Sequence, residues 1–244
     1  MKYINNWLWQ DKTRTQSTND DAMLLSQKLA GEPFIISAQK QVKGRGRSGR
    51  TWIGLEGNLF FSQGLVFDVK DIGQLIFISS LSLYQTIKVL ASPLCKVEIK
   101  WPNDILLDNA KVSGTLLEKG NNRYVIIGIG VNICASPAQA EMIYPVTSLK
   151  AKGINIDRLS FLRSYIENFD NNYALWQKSG FMPVKTQWLS AVKGLKEEIC
   201  ICNLSEKKQG IFWGIGEQGE LLLVQEDKIY PIYAGDVFYM EENK

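Results

Sequence analysis

The chain has 244 residues, 45% of them hydrophobic, which is enough for one large domain or a large domain with a small companion. Its 28 basic and 25 acidic residues leave a net charge of +3, too weak to imply a nucleic-acid or membrane partner. Histidine is absent, which excludes His-based acid–base catalysis, Ser-His-Asp triads and zinc sites with His ligands.

Met1 to Gln10 has no apolar core long enough for a signal peptide, and no run approaches a membrane span. A soluble, cytoplasmic protein with reduced thiols is therefore expected. A turn at Gln16 to Asn19 precedes a predicted helix, Asp20 to Ala30, capped by Ser17 or Thr18 and ended by Gly31. Phe34 to Ala38 reads as a short buried strand, Lys43 to Arg50 as a Gly/Arg-rich loop and Asn58 to Phe67 as another strand. The apolar period of Gln74 to Leu90 predicts a helix stopped by Pro93. Three strand-like segments follow: Val97 to Trp101, a hairpin from Ile105 to Glu118 turning at Asp108-Asn109, and Tyr124 to Ile133. Asp157 to Gln177 is a strong amphipathic helix, and a shorter one begins near Pro183.

After about Val192 the pattern changes to short strands: Glu198 to Asn203, Gly210 to Gly214, Leu221 to Gln225, Ile229 to Tyr233 and Val237 to Met240. The expected organisation is a mixed α/β domain over 1–192 and a small five-strand β-barrel over 193–244. The four cysteines, Cys95, Cys134, Cys200 and Cys202, form no CxxC pair and read as ordinary buried or half-buried thiols. Cys200 and Cys202 sit two apart in a strand-like run, so they point the same way.

Three segments carry chemistry. From Pro33 to Leu55 there is no acidic residue, yet Lys40, Lys43, Arg45, Arg47 and Arg50 crowd together among Gly44, Gly46 and Gly49. Glycines let a backbone approach a ligand, and arginines offer bidentate contacts to phosphate or carboxylate. A mobile loop that closes over an anion is one reading; a solvated basic loop or an RNA-binding Arg-Gly segment is the other. Second, Lys100 ends an apolar strand just before Trp101-Pro102-Asn103-Asp104. It either aims a charge into a cleft or snorkels off the strand end. Third, Gly114, Gly128 and Gly130 lie inside apolar strands, where they allow close approach of a flat ligand or another backbone, or mark a bulge or helix contact.

Taken in order, Ser17-Thr18-Asn19, Gln41, Gly44 to Arg50 with Trp52, Lys100 to Asp104, Ser113-Gly114 with Glu118, and Gly128 to Asn132 resemble the biotin protein ligase family over nearly the whole chain. The resemblance implies a mixed central sheet flanked by helices, similar to the catalytic domains of class II aminoacyl-tRNA synthetases and biotin ligases, with a small C-terminal SH3-like barrel. It implies activation of biotin by ATP and transfer of the biotinyl group to a lysine of a biotin carboxyl carrier domain. Lipoate or octanoate ligases and transferases, of related fold, are the enzymatic alternative.

By the same resemblance, Ser17, Thr18, Asn19 and Gln41 would face the ureido ring of biotin, and Gly114, Gly128 and Gly130 would floor the pocket. Gly44, Arg45, Gly46 and Arg47 would cover biotin and the acyl phosphate, with Lys100 beside the carboxylate. Arg45, Arg47, Arg50, Trp52, Lys100, Asn103 and Asn132 would contact ATP or the adenylate, and Lys100 and Arg47 would be catalytic. Mg²⁺ would shield the phosphates, its protein ligands left open. Val42-Lys43 departs from the smaller or more polar residues common in the family. Only sixteen residues precede Ser17, leaving no room for the winged-helix domain of regulatory members, so no specific DNA partner is expected. No membrane partner is expected either, and a monomer or a homodimer fits.

Overall fold

The computed structural model describes residues 2–67, 72–142, 144–203 and 206–240. Its larger part is built on an eight-stranded mixed sheet. The chain enters through β1 (Lys2–Ile4) and β2 (Trp7–Thr15), crosses α1 (Thr18–Ser26), and returns as β3 (Phe34–Gln41). A small hairpin, β4 (Gly44–Arg45) and β5 (Thr51–Trp52), leads to β6 (Leu59–Val66). After α2 (Gln74–Leu90) come β7 (Val97–Lys100), β8 (Asp104–Leu107), β9 (Ala110–Lys119) and β10 (Tyr124–Val131). The strand order is β1-β2-β3-β6-β10-β9-β8-β7, antiparallel throughout except for the parallel β2–β3 pair. A parallel pair needs a crossover, and α1 supplies it.

Helices cover both faces. On one, α2 packs with α3 (Arg158–Ser179) and α4 (Phe181–Ala191) over β7, β8 and β9. On the other, α1 lies across β3, β6 and β10. Every residue of β10 is therefore buried, which explains a run too apolar to alternate. The main core holds Phe61, Phe77, Tyr165, Phe169 and Trp188; a second, smaller cluster beneath α1 holds Leu8, Ala22, Phe34, Ile36, Tyr124 and Ile126.

The helix α2 spans the residues its period predicts, and the β8–β9 turn falls at Asp108-Asn109, both with positive φ as a two-residue hairpin turn requires. Several elements differ from expectation: β1 was not foreseen, and the expected loop Lys43 to Arg50 is bracketed by the paired β4 and β5. The helix α1 stops at Ser26 rather than Ala30, because the Asn122 amide donates to the Ser26 and Gln27 carbonyls and takes over its last acceptors. The strand β2 was not foreseen: after Trp7 and Leu8 it is largely polar and partly exposed near the sheet edge, so no clean alternation marks it.

The smaller part is a five-stranded antiparallel sheet, β14 (Lys228–Ile232), β13 (Leu221–Gln225), β12 (Lys207–Ile215), β11 (Glu198–Cys202) and β15 (Asp236–Tyr239), in that order. Among the described residues β14 and β15 stand at its two edges. Its inner residues, Ile199, Phe212, Leu221 and Val237, join the main core. The β12–β13 turn docks on the larger part: Gly219, at φ +90°, faces the Phe77 ring, and Trp101 Nε1 donates to its carbonyl at 3.3 Å.

Candidate active site

A cavity of about 340 Å³ opens where the start of α1, the β4–β5 hairpin, the ends of β7 and β8 and the middle of β9 and β10 converge. Gly128 and Gly130, two apart in β10, share the face that α1 and the hairpin cover.

One end is polar. Gln41, at the end of β3, accepts with Oε1 from the Thr18 backbone N–H at 2.9 Å and from its hydroxyl at 3.1 Å. Ser62 donates from β6 to Thr18 Oγ1 or Asn19 Oδ1, at 2.8 and 2.5 Å. Asn19 Nδ2 donates to Glu118 Oε2 at 2.5 Å. Ser17 precedes the helix in extended conformation and its side chain caps nothing, so a buried hydroxyl remains at a helix N-terminus facing the cavity. Gly128 sits directly beneath the Asn19 amide and Gly130 beneath the Trp52 indole. A Cβ at either would collide with those side chains, so the floor glycines exist to admit Asn19 and Trp52.

The hairpin forms the roof. Gly46 N–H donates to the Arg50 carbonyl at 2.7 Å, and Ser48 takes a left-handed conformation at φ 53°. The local excess of positive charge is offset by acids from elsewhere in the chain. Arg45 pairs with Asp20 at 2.7 Å and Glu118 at 3.3 Å. Arg50 pairs with Asp236 through both carboxylate oxygens, at 2.6 and 2.8 Å. Arg47 turns inward and donates to Asn103 Oδ1 at 3.3 Å; burial lowers its pKa, a cost that an anionic ligand would relieve.

Lys100 closes the far wall. Among the described residues its ammonium has no hydrogen-bond partner; it lies 3.8 Å from the centre of the Tyr144 ring, with Phe238 and Tyr239 each at 5.9 Å. Burial brings its pKa down to about 8; Asp104 opposes the shift and Lys111 adds to it. Lys111 Nζ holds Asp104 Oδ1 at 2.8 Å. A lysine at a strand end, enclosed by rings and lacking a carboxylate of its own, resolves the two readings of Lys100 in favour of the cleft.

Ser17, Thr18, Asn19, Gln41, Arg45, Gly46, Arg47, Arg50 and Trp52 all line this one cavity, and so do Lys100, Asn103, Gly114, Gly128, Gly130 and Asn132. Gly44 does not: it is buried behind the roof, against Gln41 and Trp52, where a side chain would not fit. Beyond the pairs already described for Thr18, Asn19, Gln41, Arg45 and Arg50, two further expected ligand contacts are engaged within the protein. Asn132 accepts from Asn58 at 3.3 Å and donates to the Thr147 carbonyl at 3.1 Å. Asn103 bridges Arg47 and the Thr115 carbonyl. Lys111, Tyr144 and Asp236 also line the cavity and were missed. Lys111 follows a turn as an ordinary surface lysine would, and Tyr144 and Asp236 arrive from segments with no motif.

Residues 10–132 match the Biotin/lipoate A/B protein ligase family. A biotin–[acetyl-CoA-carboxylase] ligase of Paracoccus denitrificans is 33% identical, covering 93% of this chain and 98% of that protein. The bifunctional ligase/repressor BirA of Bacillus subtilis is 33% identical over 91% of this chain and 70% of its own. Among solved structures, the Aquifex aeolicus biotin protein ligase in complex with biotin and ATP superposes with a TM-score of 0.81 at 27% identity, covering 95% of this chain and 97% of that one.

Proposed function

The chain belongs to the biotin/lipoate A/B protein ligase family, and on that premise we propose that it is a biotin protein ligase, joining biotin to AMP from ATP and passing the biotinyl group to a lysine of a biotin carboxyl carrier domain. The observation that carries this reading is the division of one cavity into a neutral hydrogen-bonding end, Ser17, Thr18 and Gln41, and a cationic end, Arg47 and Lys100. A fused ureido ring suits the first and a carboxylate meeting phosphate suits the second. A lipoyl or octanoyl chain carries no ureido group to meet the polar end.

The biotin carboxylate attacks the α-phosphate of ATP in line, forming biotinyl-5′-AMP and expelling pyrophosphate. The carrier lysine then attacks the mixed anhydride, and AMP leaves. Neither step needs an enzyme nucleophile, which suits a chain without histidine. Catalysis is positioning and charge stabilisation. Lys100 and Arg47 face the developing negative charge, Asn103 holds Arg47 in place, and the Trp52 indole, whose Nε1 is buried without a partner, offers its face and its donor to adenine. No group of three or more metal-ligating side chains exists among the described residues. A Mg²⁺ held chiefly by phosphate and water would need few protein ligands, and Asp104, which lines the cavity, would be the candidate carboxylate contact. The ion would neutralise phosphate charge. Among the described residues no helix is long and apolar enough to cross a membrane.

The test is exchange of labelled pyrophosphate into ATP by the purified protein with Mg²⁺. Exchange should depend on biotin and need no carrier. Exchange supported by lipoate or octanoate instead would move the protein to the other branch of the family.

A further inference from the structure

Cys200 and Cys202 alternate with Ile199 and Ile201 along β11. The isoleucines are buried in the core, so the cysteines share the opposite face. Their Sγ atoms lie 3.7 Å apart, with Cys200 buried and Cys202 half-buried. In β15 the residue opposite Cys202 is Asp236 and the one opposite Cys200 is Phe238. Residues directly opposite in an antiparallel pair project from the same face. The thiols therefore share a face with Asp236, which lines the cavity, and with Phe238. Asp236 holds Arg50; Phe238 packs 5.4 Å from Tyr144, the ring that covers Lys100.

We propose that Cys200 and Cys202 form a dithiol modification site that closes into an intrastrand disulfide by exchange with a small-molecule disulfide, and that closure loosens the grip of Asp236 on the roof hairpin. The half-buried Cys202, as thiolate, attacks one sulfur of the external disulfide, making a mixed disulfide and expelling one thiolate. Cys200 then attacks Cys202 Sγ, making the Cys200–Cys202 bond and expelling the second. The two protons from the cysteines pass to the two expelled thiolates. Two cysteine thiols are oxidised to one disulfide, and the external disulfide is reduced to two thiols. Burial raises the Cys200 thiol pKa, with Cys202 adding to the shift, which suits Cys200 to the resolving step rather than the first attack.

The backbone must respond. Residues two apart in an extended strand have Cα atoms about 6.6–6.8 Å apart. Disulfides prefer about 5.5–6 Å and rarely exceed about 6.8 Å. Closure thus draws β11 in at Ile201 and shifts Cys202 against Asp236, and the strain keeps the bond readily reducible.

The full chain is incubated with glutathione disulfide, and three quantities are followed: free thiols, the mass of the peptide containing residues 200–202, and amide exchange of residues 43–50. The expected result is a peptide that has lost two hydrogens and carries no glutathione. Loop exchange should rise several-fold with it, and both changes should reverse with dithiothreitol. Cys200→Ala should trap glutathione on Cys202, and Cys202→Ala should leave loop exchange unchanged by oxidant. Should Cys200→Ala not fold, the wild-type mass and Cys202→Ala decide alone. Stable glutathione on wild-type Cys202, reaction confined to the exposed Cys134, or no reaction overturns the site. A closed bond with unchanged loop exchange overturns the coupling. None of these readouts uses catalysis, so they stand or fall apart from the ligase reading.

Discussion

Lys100 carries the most chemical consequence of any single side chain. The unfolded chain keeps its proton to the usual 10.5, whereas burial makes the folded chain lose it near 8. Between those values the unfolded state binds more protons, so the contribution of Lys100 to stability rises with pH across that window and is least favourable below it. Function runs the other way, because the ammonium is needed to stabilise negative charge. We expect kcat/KM for adenylation to fall as pH rises through about 8, measured by biotin-dependent pyrophosphate exchange, and the limb to flatten in Lys100→Arg. Lys100→Ala should fold and lose about a hundredfold in adenylation, the scale on which one preorganised charge contact operates. A wild-type profile that stays flat well above pH 8 would take Lys100 away from the reacting anion.

At the scale of elements, the roof hairpin and the helix α3 depend on different physics. Apart from Trp52, which packs on Gly130, the hairpin is held by polar contacts: Arg45 on Asp20 and Glu118, Arg50 on Asp236, Arg47 on Asn103. Arg47 is the one turned inward, and Arg47→Gly removes its charge while the two outer pairs hold the hairpin in place. This variant should still adenylate biotin but release the adenylate, so that lysines of a bystander protein become biotinylated above the wild-type level. Adenylation without extra bystander labelling would count against a retaining role. The helix α3 begins at a cap: Asp157 Oδ1 accepts from Leu159 N and Ser160 N, both at 2.9 Å. Asp157→Ala should cost about 1 kcal/mol. It would be read as a lower urea midpoint at unchanged slope, with pyrophosphate exchange unaffected.

For the whole molecule the question is whether 1–192 and 193–244 are separable. Their boundary is a proposal from the change of pattern, and the packing argues that they unfold together. The Lys193 N–H donates to the Ile99 carbonyl at 2.9 Å, Trp101 donates to the Gly219 carbonyl, and the small sheet's inner residues share a core with α2 and α3. Calorimetry should show one cooperative transition. Gly219→Ala combines a positive φ with a close approach to Phe77, and should lower that transition by about 1–3 kcal/mol without splitting it. Two resolved transitions in the wild type would show the small sheet to be independent.

The sequence by itself determined the elements whose signal is local, and its motifs pointed to candidate site residues only when taken together in order. The period of α2, the Asp108-Asn109 turn and the change to short strands after Val192 each follow from side-chain alternation or turn chemistry over a few residues. Ser17 to Asn19, Gln41, the Arg-Gly loop, Lys100 and the three glycines Gly114, Gly128 and Gly130 were singled out by their ordered resemblance to a known family, since each motif alone left two readings open. Only the tertiary structure decided what long-range pairing controls. The strand β2 is a strand because β3 lies beside it. Gly128 and Gly130 are glycines because Asn19 and Trp52 descend onto them. The arginine charges are balanced by Asp20, Glu118 and Asp236, none of them within the acid-free stretch. Tyr144 and Asp236 join the site through folding alone, since a ring over an ammonium or a carboxylate on a guanidinium needs closeness in space and leaves no pattern along the chain.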